Sequence, residues 1–190
     1  MATKPTPKHW AYAEFARLPN DGKRYEIVAG ELVVSSSPHY RHQLASVRIT
    51  GIFENFTREH GIGQLYGPVD VLLSGEDYLV PDLVFLKHER RAEILSDRGF
   101  EGAPDLAIEI ISPSSASRDR GVKRERYALF GVPLYWVVDI KLQQIEVYRL
   151  ADDPNGPPEI VTDTLVWHLI PGGPALTLSV PFVVDDQGDD

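Results

Sequence analysis

The stretch "DLAIEIISPSSASRDRGVKRERYALFGVPLYWVVD", residues 105–139, decides the fold. It reads as an apolar strand (105–112), a polar turn, a helix over 116–130 stopped by Gly131-Val132-Pro133, and a second apolar strand (134–139). A strand–helix–strand crossover of this kind favours parallel strands packed against helices. Alternation in the first strand puts Leu106, Ile108 and Ile110 on one face and Ala107, Glu109 and Ile111 on the other. Being apolar on both faces, it reads as an interior strand covered on both sides. Glu109 then stands where an ionised carboxylate is costly unless it is paired, hydrogen-bonded or bound to a cation.

Upstream, "YLVPDLVFL" (78–86) repeats the pattern, with Asp82 on a face shared by Val80, Val84 and Leu86. Two acids on successive apolar strands invite a shared hard cation, and Mg²⁺ or Mn²⁺ suits carboxylate oxygens. For either acid alone, an arginine partner or a strand-end position explains it as well. "PD" also occurs at 104–105, but Asp105 begins its strand beside a loop, where a carboxylate is easily solvated, so Asp82 is the site candidate. At helical spacing Asp119, Lys123, Arg126, Tyr127 and Phe130 share one side, which aims Lys123 at the carboxylates. A solvated lysine packing its stem on its neighbours is the alternative. Tyr127 is expected to pack and point its hydroxyl at the site, and Ser112 reads as a turn hydroxyl.

Residues 8–18 form a short amphipathic helix candidate. In "RYEIVAGELVVSS" (24–36), Ala29-Gly30 reads as a two-residue turn that pairs Val28 with Glu31 and Glu26 with Val33. Glu26 and Glu31 thereby share a face and are secondary candidates for an outer carboxylate, a solvent face being the simpler reading. Residues 39–60 repeat apolar positions at Leu44, Val47, Ile52, Phe53 and Phe56, giving a helix that buries one side, with Gly61 as its cap. His42, near its start, is a further candidate for a phosphate or metal-bound water. Strands are expected over 69–74 and 143–150, a helix or loop over 87–99, a loop over 151–158 and an irregular edge strand in 171–180. The class is α/β, a mixed sheet flanked by helices with an N-terminal β-hairpin. One domain is expected over 8–182, followed by an acidic tail, 183–190, read as disordered.

The 190 residues suffice for one domain with a real core. With no cysteine there is no disulfide and no thiolate metal site. The N-terminal "MATKPTPKHW" lacks the apolar stretch of a secretory signal, and no run is long enough to span a bilayer, so no membrane partner and a cytoplasmic location are expected. Net charge is −9, with four acids in the final "DDQGDD". That balance argues against coating nucleic acid through bulk positive charge, so any such contact must be local. The segment "RDRGVKRER" (118–126) is the local candidate, through Arg118, Arg120, Arg124 and Arg126. Four phosphate contacts would give a log–log salt slope of about −3.6. A mixed-charge solvent face accounts for the same residues.

"PD" at 81–82, "APDLAIEIISPSS", Asp119…Lys123…Tyr127 and "GVPLYWVVD" together resemble the Uma-type restriction endonuclease family, formerly a domain of unknown function, within the PD-(D/E)XK nuclease superfamily. "YEIVAGELVVSSSPHYRHQ" is similar to that family's N-terminal signature, and the resemblance covers roughly residues 20–150. It implies a restriction-endonuclease-like fold, with Asp82 as the aspartate of the "PD" motif and Glu109 as the acid of its second half. Ile111 stands where the simple E-x-K pattern has lysine; family members resemble this chain in carrying a lysine in the following helix, which matches Lys123. The implied activity is Mg²⁺- or Mn²⁺-dependent hydrolysis of phosphodiester bonds, in DNA, with Asp82 and Glu109 as metal ligands and Lys123 positioning the nucleophile. A homodimer would suit double-strand cleavage. The rival reading is a non-catalytic module that keeps the nuclease fold for nucleic-acid binding or assembly, favoured by the acidic charge and by Ile111.

Overall fold

Strand pairing in the computed structural model, which describes residues 9–18, 21–35 and 37–185, builds three sheets. In chain order the first elements are α1 (Tyr12–Phe15), the hairpin β1 (Arg24–Val28) and β2 (Glu31–Ser35), α2 (Tyr40–His60), β3 (Gly63–Tyr66), β4 (Val71–Ser74), β5 (Asp77–Leu79) and β6 (Leu83–Lys87). Next come α3 (Arg91–Ile94), β7 (Leu95–Ser96), β8 (Gly99–Glu101), β9 (Leu106–Ile111), α4 (Ala116–Arg118) and α5 (Arg124–Leu129). The chain continues through β10 (Tyr135–Asp139), β11 (Gln144–Tyr148), β12 (Glu159–Val161), β13 (Thr164–His168), β14 (Ala175–Ser179) and α6 (Val180–Val184).

One six-stranded mixed sheet, the central one, runs β12-β11-β10-β9-β6-β3, and the crossover makes β9 and β10 parallel, with Glu109 opposite Val137. Every residue of β9 is buried. Leu106, Ile108 and Ile110 join the core under α2, while Ala107 and Ile111 join a second core with Tyr127 and Tyr135. The alternation expected of this strand therefore holds. The other six-stranded sheet runs β2-β1-β5-β4-β8-β7, and the hairpin register is the expected one. Both turn residues have positive φ, Ala29 at 52° and Gly30 at 77°, the geometry of a hairpin turn that matches strand twist.

Several expectations are corrected. The run 78–86 is not one strand: it breaks at Val80-Pro81-Asp82, so β5 and β6 lie in different sheets. Proline cannot donate to a ladder, and the break falls on it. The helix expected over 8–18 is confined to Tyr12–Phe15. α2 ends at a left-handed Gly61 as expected but buries Ala45, Ile49, Phe53 and Phe56, leaving Val47 exposed. Segment 87–99 supplies a short helical stretch, β7 and the first residue of β8. β13 was not foreseen; it pairs with β14 as a separate two-stranded sheet, so the last strand is regular. Val183 and Val184 are buried in the main core, so the folded part runs past 182, whereas 186–190 of the acidic tail lie outside the described residues. No helix among the described residues is long and apolar enough to cross a membrane.

Candidate active site

The cleft forms where β1, the Val80–Asp82 break, the start of α2, the end of β9 and the helical segment after it converge, and it has a volume of about 1330 Å³. That helical segment is not regular: between α4 and α5 a five-residue π-type turn, Asp119–Lys123, departs from helical geometry at Gly121. Such wide turns are frequent at functional sites. The hydroxyl of Tyr135 on β10 donates to the Asp119 carbonyl at 3.0 Å and anchors the turn to the sheet.

The turn brings Lys123 to the acids. Its Nζ lies 2.6 Å from Glu109 Oε1 and 2.8 Å from Glu26 Oε1, with Asp119 Oδ1 at 4.0 Å. Tyr127 also donates to Glu109 Oε1, at 3.0 Å, and no donor among the described residues meets Oε2. The Val80 N–H holds Glu26 Oε1 at 2.8 Å. Asp82 is fixed from three sides: Arg24 Nη1 donates to Oδ1 at 2.8 Å, the Ile110 N–H to Oδ2 at 2.8 Å, and His42 Nε2 meets Oδ2 at 3.0 Å. Asp82 and Glu109 are 4% and 3% exposed and line the same cleft, so neither carboxylate is a surface group.

Electrostatics separates the acids. Burial pushes the Asp82 carboxyl up, but the His42 hydrogen bond and the Arg24 charge outweigh it and hold it at about 2. For Glu26 burial also acts upward, and Lys123 and Arg24 bring the carboxyl below its ordinary value. Glu109 goes the other way. Burial, then the neighbouring Asp119, Asp82 and Glu26 charges, push it up to about 8 despite Lys123. Lys123 itself is driven down by burial, but three carboxylates more than reverse this and keep it protonated. Lys123 and Arg24 are shared among four acids, Glu26, Asp82, Glu109 and Asp119, which leaves the cluster short of positive charge.

That shortage bears on a metal. Among the described residues no three His, Asp or Glu side chains group into a metal-binding set. Asp82 and Glu109 offer hard carboxylate oxygens to one cleft, the ligand type that suits Mg²⁺ or Mn²⁺, ions that keep several waters. The donor set fits by its chemistry: Glu109 Oε2 meets no donor among the described residues, and both acids offer hard oxygens to the same cleft. Both acids also have protein partners, as the arginine-partner alternative allowed: Arg24 and His42 sit on Asp82, and Lys123 sits on Glu109.

The structure thus brings together Asp82, Glu109, Lys123, Tyr127, His42 and Glu26. Glu26 is buried and His42 half-buried, so neither lies on the open solvent face that is the simpler reading for Glu26. Glu31, on the edge strand β2, is exposed and away from the cleft. Asp105 stays outside the cleft as expected, but its carboxylate is buried, held by the Lys87 N–H at 2.9 Å and Arg90 at 3.1 Å, not solvated. Of the four arginines expected at phosphate, only Arg118 lines the cleft. Arg120 is spent on Glu146 and Asp139, Arg126 on the buried Asp77, and Arg124 lies over the Tyr148 ring with a contact to the Gly156 carbonyl. The Ser112 hydroxyl lies within a serine turn, 3.0 Å from Ser114 Oγ and 3.3 Å from Ser115 Oγ, as a turn hydroxyl should. Sequence reasoning missed Arg24 and gave Asp119 no role; the i, i+2 spacing of Arg24 and Glu26 on one strand face was the available signal.

Fold and site define a class: a restriction-endonuclease-like α/β fold carrying a carboxylate–lysine cluster where a parallel strand meets its crossover helix. The chain belongs to the Uma-type family, since the family model described as "Uma2: Putative restriction endonuclease" matches residues 12–181. Its fold is also that of a crystal structure from Anabaena variabilis ATCC 29413 described as "a putative nuclease belonging to DUF820", with a TM-score of 0.74 and 20% identity over 92% of this chain and 97% of that one. No curated protein matches the chain. The family description is that of a putative restriction endonuclease, and the structural likeness carries the fold.

Proposed function

We propose that this protein is a divalent-metal-dependent endonuclease that hydrolyses phosphodiester bonds in DNA. The observation that carries the reading is the 2.6 Å contact of Lys123 with Glu109 in the cleft that also holds Asp82. It supplies the lysine that Ile111 does not, from a different element but beside the same acid.

Asp82 and Glu109 would hold Mg²⁺ or Mn²⁺. Bound there, the ion supplies Lewis acidity toward a phosphoryl oxygen and toward water. The chain's own residues do the rest. The His42 contact and the Arg24 and Ile110 N–H hydrogen bonds fix the orientation of Asp82, and Lys123 and Tyr127 fix that of Glu109. Lys123 stays protonated, so it serves as a fixed donor that orients the attacking water and offsets charge on the phosphoryl group, not as a base.

The experiment is nicking of supercoiled plasmid with and without Mg²⁺. Asp82→Asn, Glu109→Gln and Lys123→Met should each remove at least about 99% of the wild-type rate, a single electrostatic contribution of this type being worth roughly 10²–10³-fold. Unchanged nicking by the Asp82 or Glu109 variant counts against the site. Magnesium titration by calorimetry separates the rival module, which would show no carboxylate-dependent affinity.

A further inference from the structure

Five buried side-chain nitrogens among the described residues meet no hydrogen-bond partner, and three of them, Arg24 Nε, His42 Nδ1 and Arg118 Nε, belong to residues lining the candidate cleft. Native proteins leave few buried polar atoms unsatisfied, and a concentration of them at one cleft asks for an explanation. Arg118 is the extreme case. Its side chain makes no hydrogen bond to any described residue, and its one ion pair among them, with Asp119 Oδ1, is loose at 3.8 Å. Arg120, two positions on, gives its donors to Glu146 and Asp139 instead. Arg24 spends Nη1 on Asp82 and nothing else. Each of these two arginines has 28% of its side chain exposed, so stem and Nε are sheltered while the fork reaches the opening.

We propose that Arg24 and Arg118 form a two-armed seat for a phosphodiester group of a nucleic acid, one arm from β1 and the other from α4. The permanently charged forks match the non-bridging oxygens of a phosphate, and their terminal nitrogens, Arg24 Nη1 apart, meet no hydrogen-bond partner among the described residues. It also answers an electrostatic problem: a cleft lined by Glu26, Asp82, Glu109 and Asp119 repels a polyanion unless cations flank it. Free phosphate offers the same oxygens. The backbone is favoured because the cleft, about 1330 Å³, is far larger than one phosphate and Lys141 also lines it. The nucleic-acid identity of the ligand rests on the nuclease reading; the seat itself rests on the unspent donors.

The test is fluorescence anisotropy of short labelled single-stranded and duplex DNA against the full chain in EDTA, over a range of KCl, with inorganic phosphate as competitor. Arg118→Ala should weaken binding about tenfold. It should also lower the salt slope by about 0.9 on duplex or about 0.7 on single strands. Arg24→Lys keeps the charge on Asp82 but loses the fork, so affinity should fall by a similar factor with the slope unchanged. Melting temperatures check the folds, and Arg118→Lys, expected to behave like Arg24→Lys, replaces Arg118→Ala if the latter melts early. Wild-type affinity and slope in the variants would overturn the seat, and plasmid nicking by wild type in Mg²⁺ would leave the nuclease reading standing in that event. Arg118-dependent binding of phosphate with no binding of either DNA would keep the anion seat and sink the nucleic-acid reading. A wild type that binds neither DNA nor phosphate overturns the proposal outright.

Discussion

Glu109 and Asp82 are both buried carboxylates in one cleft, yet they respond to pH in opposite senses. Asp82, held at about 2, contributes stability that is present above its ordinary value of 3.8 and is lost as pH falls through the folded value. Glu109 has an ordinary value of 4.5 and a folded one of about 8. Between those values the folded chain keeps a proton that the unfolded chain has released, so its contribution is complete at low pH and is lost as pH rises through the folded value. Glu109→Gln removes that titration while Lys123 keeps Glu26. In EDTA, the fall in urea-denaturation stability from about pH 5 to about pH 8 should therefore flatten in the variant. A variant curve parallel to wild type over that range would show that Glu109 ionises normally. Added Mg²⁺ should flatten the wild-type curve as well, because a cation takes over from the proton.

At the scale of elements, the sequence was most legible where period and turn chemistry agree. β9, the crossover to β10 and the β1–β2 register follow from alternation and from Ala29-Gly30. It was least legible where a local irregularity interrupts a continuous apolar pattern. Alternation runs straight through Val80-Pro81-Asp82, so 78–86 read as one strand although Pro81 marked the break between sheets. Glu26 and Glu31 share a face in the register, but β1 is interior, paired with β2 and β5, while β2 is an edge, and only position within the sheet tells them apart. Lys123 was placed on the correct side of its helix even though the π-type turn changes the local winding. The turn of the hairpin carries a defect. Ala29 sits at φ 52°, a left-handed conformation that asparagine adopts more readily than alanine. Its N–H already binds Asp77 Oδ1, and Ala29→Asn preserves that bond. The substitution should raise stability by about 0.5–1 kcal/mol, read as a higher urea midpoint at unchanged slope. A lower midpoint would mean that the side chain clashes rather than relaxes.

Across the whole molecule, what single-sequence reading could not supply is long-range pairing. Nothing local links Arg120 with Asp139 and Glu146, or Arg126 with Asp77, so these arginines read as free for phosphate when they are holding buried acids. The same limit hid β13, whose Trp167 meets Phe85, Trp136 and Phe53 at centroid distances of 5.4, 5.7 and 5.8 Å. Phe53 is the hub: it reaches from α2 to the central sheet through Phe85 and Trp136 and to the small sheet through Trp167. β9 lies between this core and the one behind Tyr127, so loss of one face should release the other. Phe53→Ala should cost about 3–5 kcal/mol, the usual range for a fully buried aromatic. Because Trp136 and Trp167, two of the three tryptophans, border Phe53, tryptophan fluorescence reports mainly on the affected core, while far-UV dichroism reports on all the sheets. Both signals should move together to the same lower urea midpoint, and the Arg118-dependent DNA binding should vanish along that same transition. Fluorescence lost at lower urea than dichroism would mean that the aromatic core opens on its own, and that the cleft is held by the second core without it.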